Sequence, residues 1–264
     1  MFVSSSEKLL TFNWKSPEVS AGFTKRKGGY SPYPEGSLNL GLHIGDDPEC
    51  VVKNREVVAE EIEVPLERWV FPEQVHGTKV QTVTAEDRGK GVKDLESAVQ
   101  GADGLITKNE NTLLAGFYAD CVPLYFSDKQ TGWIGLAHAG WKGTVNHMAG
   151  EMIEALVTEG AERESIEMVI GPCISKSNYI VDNHVAQQVS EKYRNDVLQL
   201  VDTNTWKLDL KRMNRLIALE HGLGEDRVYS TDHCTYSDEE LFFSHRRDRG
   251  NTGRMLGYIV KSRC

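Results

Sequence analysis

No apolar run in the sequence is long enough to span a bilayer. The longest, Leu113 to Phe126, is broken by Asp120 and falls short of the ~20 residues a membrane helix needs. The segment MFVSSSEKLLTFNW lacks the basic start and apolar stretch of a secretion signal. Basic residues are outnumbered, 30 against 39 acidic, and the net charge of −9 argues against nucleic acid or an anionic membrane as partner. Cysteines are few and scattered: Cys50, Cys121, Cys173, Cys234 and Cys264 form no C-x-x-C pair, as expected of reduced thiols in a cytoplasmic protein. There is no Walker A run and no G-x-G-x-x-G, which disfavours a nucleoside-triphosphate or dinucleotide site. Repeats, low-complexity tracts and Pro/Gly/Ser linkers are also missing. The 264 residues suffice for a sizeable core, and a single domain over residues 1–264, monomeric and cytoplasmic, is expected.

What is present is a mixture of short apolar strands and amphipathic helices. Turn residues at Lys27-Gly28-Gly29 and Ser31-Pro32-Tyr33-Pro34 predict loops in the opening third. Asp46-Asp47-Pro48 opens a predicted helix over 48–62, with Val51, Arg55, Val58 and Ile62 on one face. Short strands are predicted at 69–71 and 80–83, with Gln74-Val75-His76-Gly77 in a loop after Pro72. The runs 112–118, 122–126 and 133–137 read as buried strands, followed by a helix over 144–159 that Gly160 ends. A strand at 166–170, helices at 183–194 and 208–221, and a closing strand at 255–260 complete the pattern. Strands and helices interleave irregularly, so the expected class is α/β (α+β): a layered domain with a mixed β-sheet flanked by helices, not a doubly wound Rossmann sheet.

Two groups of residues carry chemistry. Cys121 and His138 each lie where an apolar strand meets a polar or Gly-rich loop, and their separation of 17 residues fits one strand out, a turn at 128–132 and one strand back. His76, on its own loop, is a third partner. One thiolate and two imidazoles suit Zn²⁺ and leave a coordination position open. Taken singly, each residue has a plainer reading: a strand-end cysteine is often a small core residue, and a loop histidine a structural hydrogen-bonding group. The second group is the loop Ser244 to Arg254, with four arginines and two glycines, a composition that suits an oxyanion. Thr24 to Gly29, with Lys25, Arg26 and Lys27, is similar in character. The plainer reading of either loop is an exposed charged turn.

The runs FPEQVHG, GADGLIT, ADCVPLYF, GLAHAGWKG, IGPCI and FFSHRRDRGNTGRMLGYI, with FTKRKGGYS and LNLGLHIGDDPECVVKNR upstream, resemble those of the YfiH/YlmD family over about residues 20–260. Its members have been labelled laccase-domain or polyphenol-oxidase proteins and purine nucleoside phosphorylases. The resemblance implies a zinc site at His76, Cys121 and His138, a layered α/β fold without cupredoxin domains, and phosphorolysis of adenosine, inosine, guanosine and methylthioadenosine, with some adenosine deamination. One departure stands out: the family's G-W-R-G turn carries Lys142 here, which keeps the charge but loses the planar fork.

On that resemblance, phosphate falls to Arg246, Arg247 and Arg254, with Arg26 and Lys142 as further cations. Asp120, next to Cys121, is expected to orient a ligand or move a proton, or else to cap a turn. Rival readings are a cysteine hydrolase with Cys121 as nucleophile and His138 as base, a copper-dependent polyphenol oxidase, and a nucleoside-binding protein without catalysis. Eight histidines are too few for a multicopper oxidase, although copper remains the alternative metal.

Overall fold

The computed structural model describes residues 2–14, 16–32 and 35–262, and of Glu35 the backbone alone. Cys264, Tyr33 and Pro34 lie outside them. Two six-stranded mixed sheets face each other. The first runs β1 (Phe2–Ser4), β2 (Leu9–Asn13), β3 (Val19–Thr24), β17 (Met255–Lys261), β9 (Leu113–Tyr118), β6 (Trp69–Val70). The second runs β16 (Val228–Ser230), β12 (Ile166–Ile170), β10 (Val122–Asp128), β11 (Ile134–Ala139), β8 (Gly104–Thr107), β7 (Val80–Thr82). The first has one parallel pair at an edge, β6 with β9; the second has two, β7 with β8 at one edge and β12 with β16 at the other. A three-stranded sheet, β13 (Ile180–Asp182), β15 (Thr205–Leu208) and β14 (Leu198–Leu200), and the hairpin β4 (Lys27–Pro32) with β5 (Glu35–Ser37) are separate. Among the described residues six α-helices join them: α1 (Pro48–Glu61), α2 (Trp141–Val145), α3 (Met148–Thr158), α4 (Asn183–Gln188), α5 (Glu191–Val197) and α6 (Leu210–Glu220).

The mixed α/β class expected from the pattern is found, as two sheets where one was expected. The reason is visible in the alternation. Along β9, Leu114 and Tyr118 pack between the sheets while Leu113, Ala115 and Phe117 pack toward α1. Along β10, Tyr125 enters the inter-sheet core and Val122, Leu124 and Phe126 pack toward α3 and α6. Both strands are buried throughout because both faces are covered, and such strands read as unbroken apolar runs. The order is therefore helix, sheet, sheet, helices. Tyr125 joins the sheets through its hydroxyl, which donates to the Gly22 carbonyl at 3.0 Å from a fully buried position. Tyr125→Phe should cost about 1 kcal/mol, read as a fall of about 2–4 °C in thermal midpoint; an unchanged midpoint would mean that the bond contributes nothing net.

Several boundaries differ from the sequence expectation. The predicted loops at 27–32 form strand β4, whose register shifts twice against β5, so no clean alternation marks it. The single helix expected over 144–159 is two, because His147 adopts a left-handed conformation at φ 65° between them. The helix expected over 183–194 is likewise broken, since Val189 and Ser190 are extended. Helix α6 starts at Leu210, where the Asp209 carboxylate accepts from the Arg212 N–H at 2.9 Å.

Candidate metal centre

The chain leaves the first sheet at the end of β9 and enters the second at the start of β10, and Ala119-Asp120-Cys121 is the corner between them. Asp120 takes φ 84°, which a residue with a Cβ adopts only when its surroundings hold it. Its carboxylate supplies that hold: it accepts from Thr235 Oγ1 at 2.6 Å, Ser244 Oγ at 3.0 Å and the Arg246 N–H at 2.7 Å. Asp120 therefore pins the corner to the arginine loop. Cys121 follows it, half-buried, at the mouth of β10.

His138 arrives by the antiparallel pairing of β10 with β11, in which Pro123 stands opposite His138. It lies in β11, one residue before its end, close to the junction of strand and Gly-rich loop that the sequence suggested. His76 comes from the other side, on the loop after Pro72. Gln74 fixes that loop by pairing with the backbone of Phe117: its Nε2 donates to the Phe117 carbonyl at 2.9 Å and its Oε1 accepts from the Phe117 N–H at 2.8 Å. Gln74 and His76 both have positive φ, at 62° and 63°, so the loop coils tightly.

Asp103, just before β8, completes the arrangement. It is fully buried, and its carboxylate accepts four N–H groups: those of Val75, His76 and Gly77 at 3.1, 3.0 and 2.7 Å, and Nδ1 of His138 at 2.9 Å. A carboxylate only accepts, so the Nδ1–H of His138 donates and its Nε2 is left free as a ligand. The result is a triangle: one ligand atom from each of His76, Cys121 and His138, all within 4.8 Å of one another. Gly140 closes one side. A methyl group there would stand 3.0 Å from Cys121 Sγ and 3.3 Å from His76 Cδ2, so a larger residue would fill the space among the ligands.

The electrostatics match the geometry. Burial raises the Cys121 thiol, but the His138 and His76 imidazoles beside it outweigh burial and displace it downward. Burial lowers His138, and Cys121 with the Asp103 bond reverses this to a net rise. The pair thus favours a thiolate next to an N–H-bearing imidazole, a donor set that fits a borderline-soft divalent ion.

The arginines divide by what they already hold. All five donors of Arg247 are committed: Nε and Nη2 to Asp248, Nη1 to the Thr235 and Tyr236 carbonyls, Nη2 also to the Phe242 carbonyl. The expectation that Arg247 binds phosphate is corrected accordingly; its fork is spent on Asp248 and on the backbone that precedes the loop. Arg246 stacks over the Tyr179 ring at 5.0 Å and uses only Nη1, to the Ile180 carbonyl at 2.6 Å, among the described residues. Arg254 uses only the Nη1 of its guanidinium among the described residues, to the carbonyls of Thr252 and Gly253 at 2.8 and 3.1 Å. Arg26 lies over Phe243 at 5.1 Å, donates to the Glu239 carbonyl, and lines a cavity of about 510 Å³ with Asn39, Ile44, Asp46, Asn251 and Thr252. Lys142 is exposed on α2, over the Trp141 ring at 5.7 Å.

Asp103 and Gln74 were not singled out from the sequence, although both sit in quoted runs, GADGLIT and FPEQVHG. The expectation that Asp120 orients a ligand side chain is also revised: the carboxylate bonded to His138 is Asp103, and Asp120 fixes the backbone beside Cys121.

A family model described as multi-copper polyphenol oxidoreductase laccase matches residues 20–262. A Bacillus subtilis protein named purine nucleoside phosphorylase YlmD is 44% identical over 250 residues, 94% of this chain and 90% of that one. A Geobacillus stearothermophilus protein of the same name is 46% identical over 90% of this chain and 89% of its own length. The chain belongs to the YfiH/YlmD family. Among solved structures, Bacillus licheniformis YfiH superposes with a TM-score of 0.95 at 37% identity, covering 98% of each chain. The Geobacillus stearothermophilus YlmD structure gives 0.94 at 42% identity over 99% of each. The double-sheet architecture is thus that of YfiH/YlmD proteins. No helix among the described residues is long and apolar enough to cross a membrane.

Proposed function

We propose that this protein is a zinc-dependent purine nucleoside phosphorylase, acting on adenosine, inosine, guanosine and methylthioadenosine. The observation that carries the reading is a three-ligand centre braced by Asp103, beside arginines with uncommitted donors, in a chain whose relatives bear that name. His76, Cys121 and His138 would hold the metal, which supplies Lewis acidity when bound.

The protein's own residues then have defined work. Arg254 and Arg246 hold hydrogenphosphate, with Arg26 and Lys142 as further cations, and Asp120 sets the position of Arg246 through its backbone N–H. A phosphate oxygen attacks the anomeric carbon of the ribose. The glycosidic C–N bond breaks, its electron pair leaves on the purine nitrogen, and the proton of hydrogenphosphate ends on the base. Products are free purine and ribose-1-phosphate. Adenosine deamination is a second reaction assigned to the same centre, with water adding at the carbon that bears the amino group and ammonia leaving.

The test is release of base and ribose-1-phosphate from adenosine and inosine, with and without phosphate, by metal-loaded and metal-stripped protein. Phosphate-dependent product that disappears on stripping and returns with zinc is expected. Release of base that survives complete stripping and does not need phosphate would move the assignment to a thiol hydrolase at Cys121, and oxidation of a phenol by the copper-loaded protein, without phosphorolysis, would favour an oxidase centre. Binding of nucleoside without product would leave a nucleoside-binding protein.

A further inference from the structure

The run LNLGLHIGDD is built with unusual care for a surface loop. Asn39, 1% exposed, ties it together: its Oδ1 accepts from the N–H groups of Gly41 and Arg254 at 3.1 and 2.9 Å, and its Nδ2 donates to Asp46 at 2.8 Å. Buried Arg55 donates twice to the Leu40 carbonyl, at 3.1 and 2.8 Å, and the Leu40 N–H donates to the Arg254 carbonyl at 3.1 Å. These bonds fix the backbone on both sides of His43, yet the imidazole itself reaches solvent and has no hydrogen bond among the described residues. Its ring lies 5.8 Å from that of Phe117, in the strand that leads to the Cys121 corner.

The imidazole shares a small space with Arg254. A methyl group on Gly41 would stand 2.8 Å from Arg254 Cγ and 3.2 Å from His43 Cε1, so glycine is required there for both side chains to lie over the same point. The next three residues, Ile44, Gly45 and Asp46, line the cavity that Arg26 and Thr252 also line. The Asp46 carboxylate is occupied by Asn39 and by the Asp47 N–H, at 2.8 Å each, which turns its charge into the loop.

We propose that His43 is a further substrate-binding residue of this centre, donating an imidazole N–H to the phosphate that Arg254 holds. The proposal rests on the phosphorylase reading for its substrate and on the Asn39–Arg55 clamp for its geometry. The guanidinium provides the charge, and an imidazole N–H of His43 provides the direction.

Two measurements on metal-loaded protein test this, with metal content and thermal midpoint recorded for every variant. In the first, His43→Ala should raise the KM for inorganic phosphate about tenfold, the scale of one hydrogen bond to a charged group, with the nucleoside KM and the metal content unchanged. His43→Gln, whose amide N–H also donates, should recover part of that loss. In the second, inorganic phosphate is titrated by ³¹P line broadening without nucleoside, and the alanine variant should bind about tenfold more weakly. A rise confined to the nucleoside KM, or equal phosphate affinity in wild type and both variants, overturns the proposal. Should wild type turn over no purine nucleoside, the phosphorylase reading falls, while the ³¹P titration still decides whether His43 binds the anion. If the alanine variant does not fold, His43→Leu, which likewise has no donor, takes its place, and phosphate affinity equal to wild type then overturns the proposal.

Discussion

Asparagine in place of Asp103 is expected to weaken metal binding about 10- to 100-fold and to lower the thermal midpoint of the metal-free protein. Both effects have one origin. The carboxylate accepts four N–H groups from a position with no exposure, one of them the His138 Nδ1–H. An asparagine side chain offers a single accepting oxygen, and its NH₂ faces donors it cannot satisfy. Whichever way the amide turns, N–H groups of the 75–77 loop or of His138 lose their partner, at about 1–3 kcal/mol for each buried group left unsatisfied. His138 also loses the bond that sets its tautomer, and His76 the bond that fixes its backbone. Competition against a chelator of known affinity gives the metal constant, and unfolding of the stripped protein gives the stability. Unchanged metal affinity in a folded variant would remove Asp103 from the centre and reduce it to a loop staple.

The second large effect is expected at Arg55. Its side chain is fully buried, and no carboxylate pairs with it among the described residues. The guanidinium instead donates to the carbonyls of Leu40, Gly91 and Val92, and lies 4.6 and 4.9 Å from the ring centroids of Phe71 and Phe117. Those two rings stack at 4.7 Å, so the cation covers an aromatic pair while joining three backbone segments. Arg55→Met keeps much of the volume but removes every donor, leaving three carbonyls without their guanidinium partner. A cost of about 3–5 kcal/mol is expected, a fall on the order of 10 °C in thermal midpoint. Amide exchange should rise most across residues 39–46, because the Leu40 carbonyl is the loop's anchor. Arg55→Lys should fall between, since a point charge reaches fewer of the three carbonyls. A midpoint within about 2 °C of wild type would show that the hydrogen bonds are replaced by water at no cost.

How far the site was legible depends on the range of the contacts that build it. The pairing of Cys121 with His138 was visible because a local rule generates it. A turn of fixed length between two apolar strands brings their outer ends together, and 17 residues is the length of that excursion. Arg246 and Arg247, by contrast, are neighbours of identical composition. Nothing local distinguishes an arginine stacked on Tyr179 from one wrapped around backbone carbonyls, because the acceptors come from residues 235, 236 and 242, before the loop. The break at His147 and the hairpin at 27–37 were missed for a related reason: one depends on a single left-handed residue, the other on a shifted register without alternation.

The sequence by itself determined the mixed α/β class, the buried central strands and the placement of Cys121 and His138 at strand ends, since periodicity is a property of the chain read locally. Only the tertiary structure decided that there are two sheets facing each other, that Asp103 and not Asp120 is bonded to His138, and that His43 stands beside Arg254. Each of these depends on which distant backbone groups are left needing a partner once the core has closed. That is settled by packing in three dimensions, where a carboxylate at position 103 can meet N–H groups at 75, 76, 77 and 138 in one place.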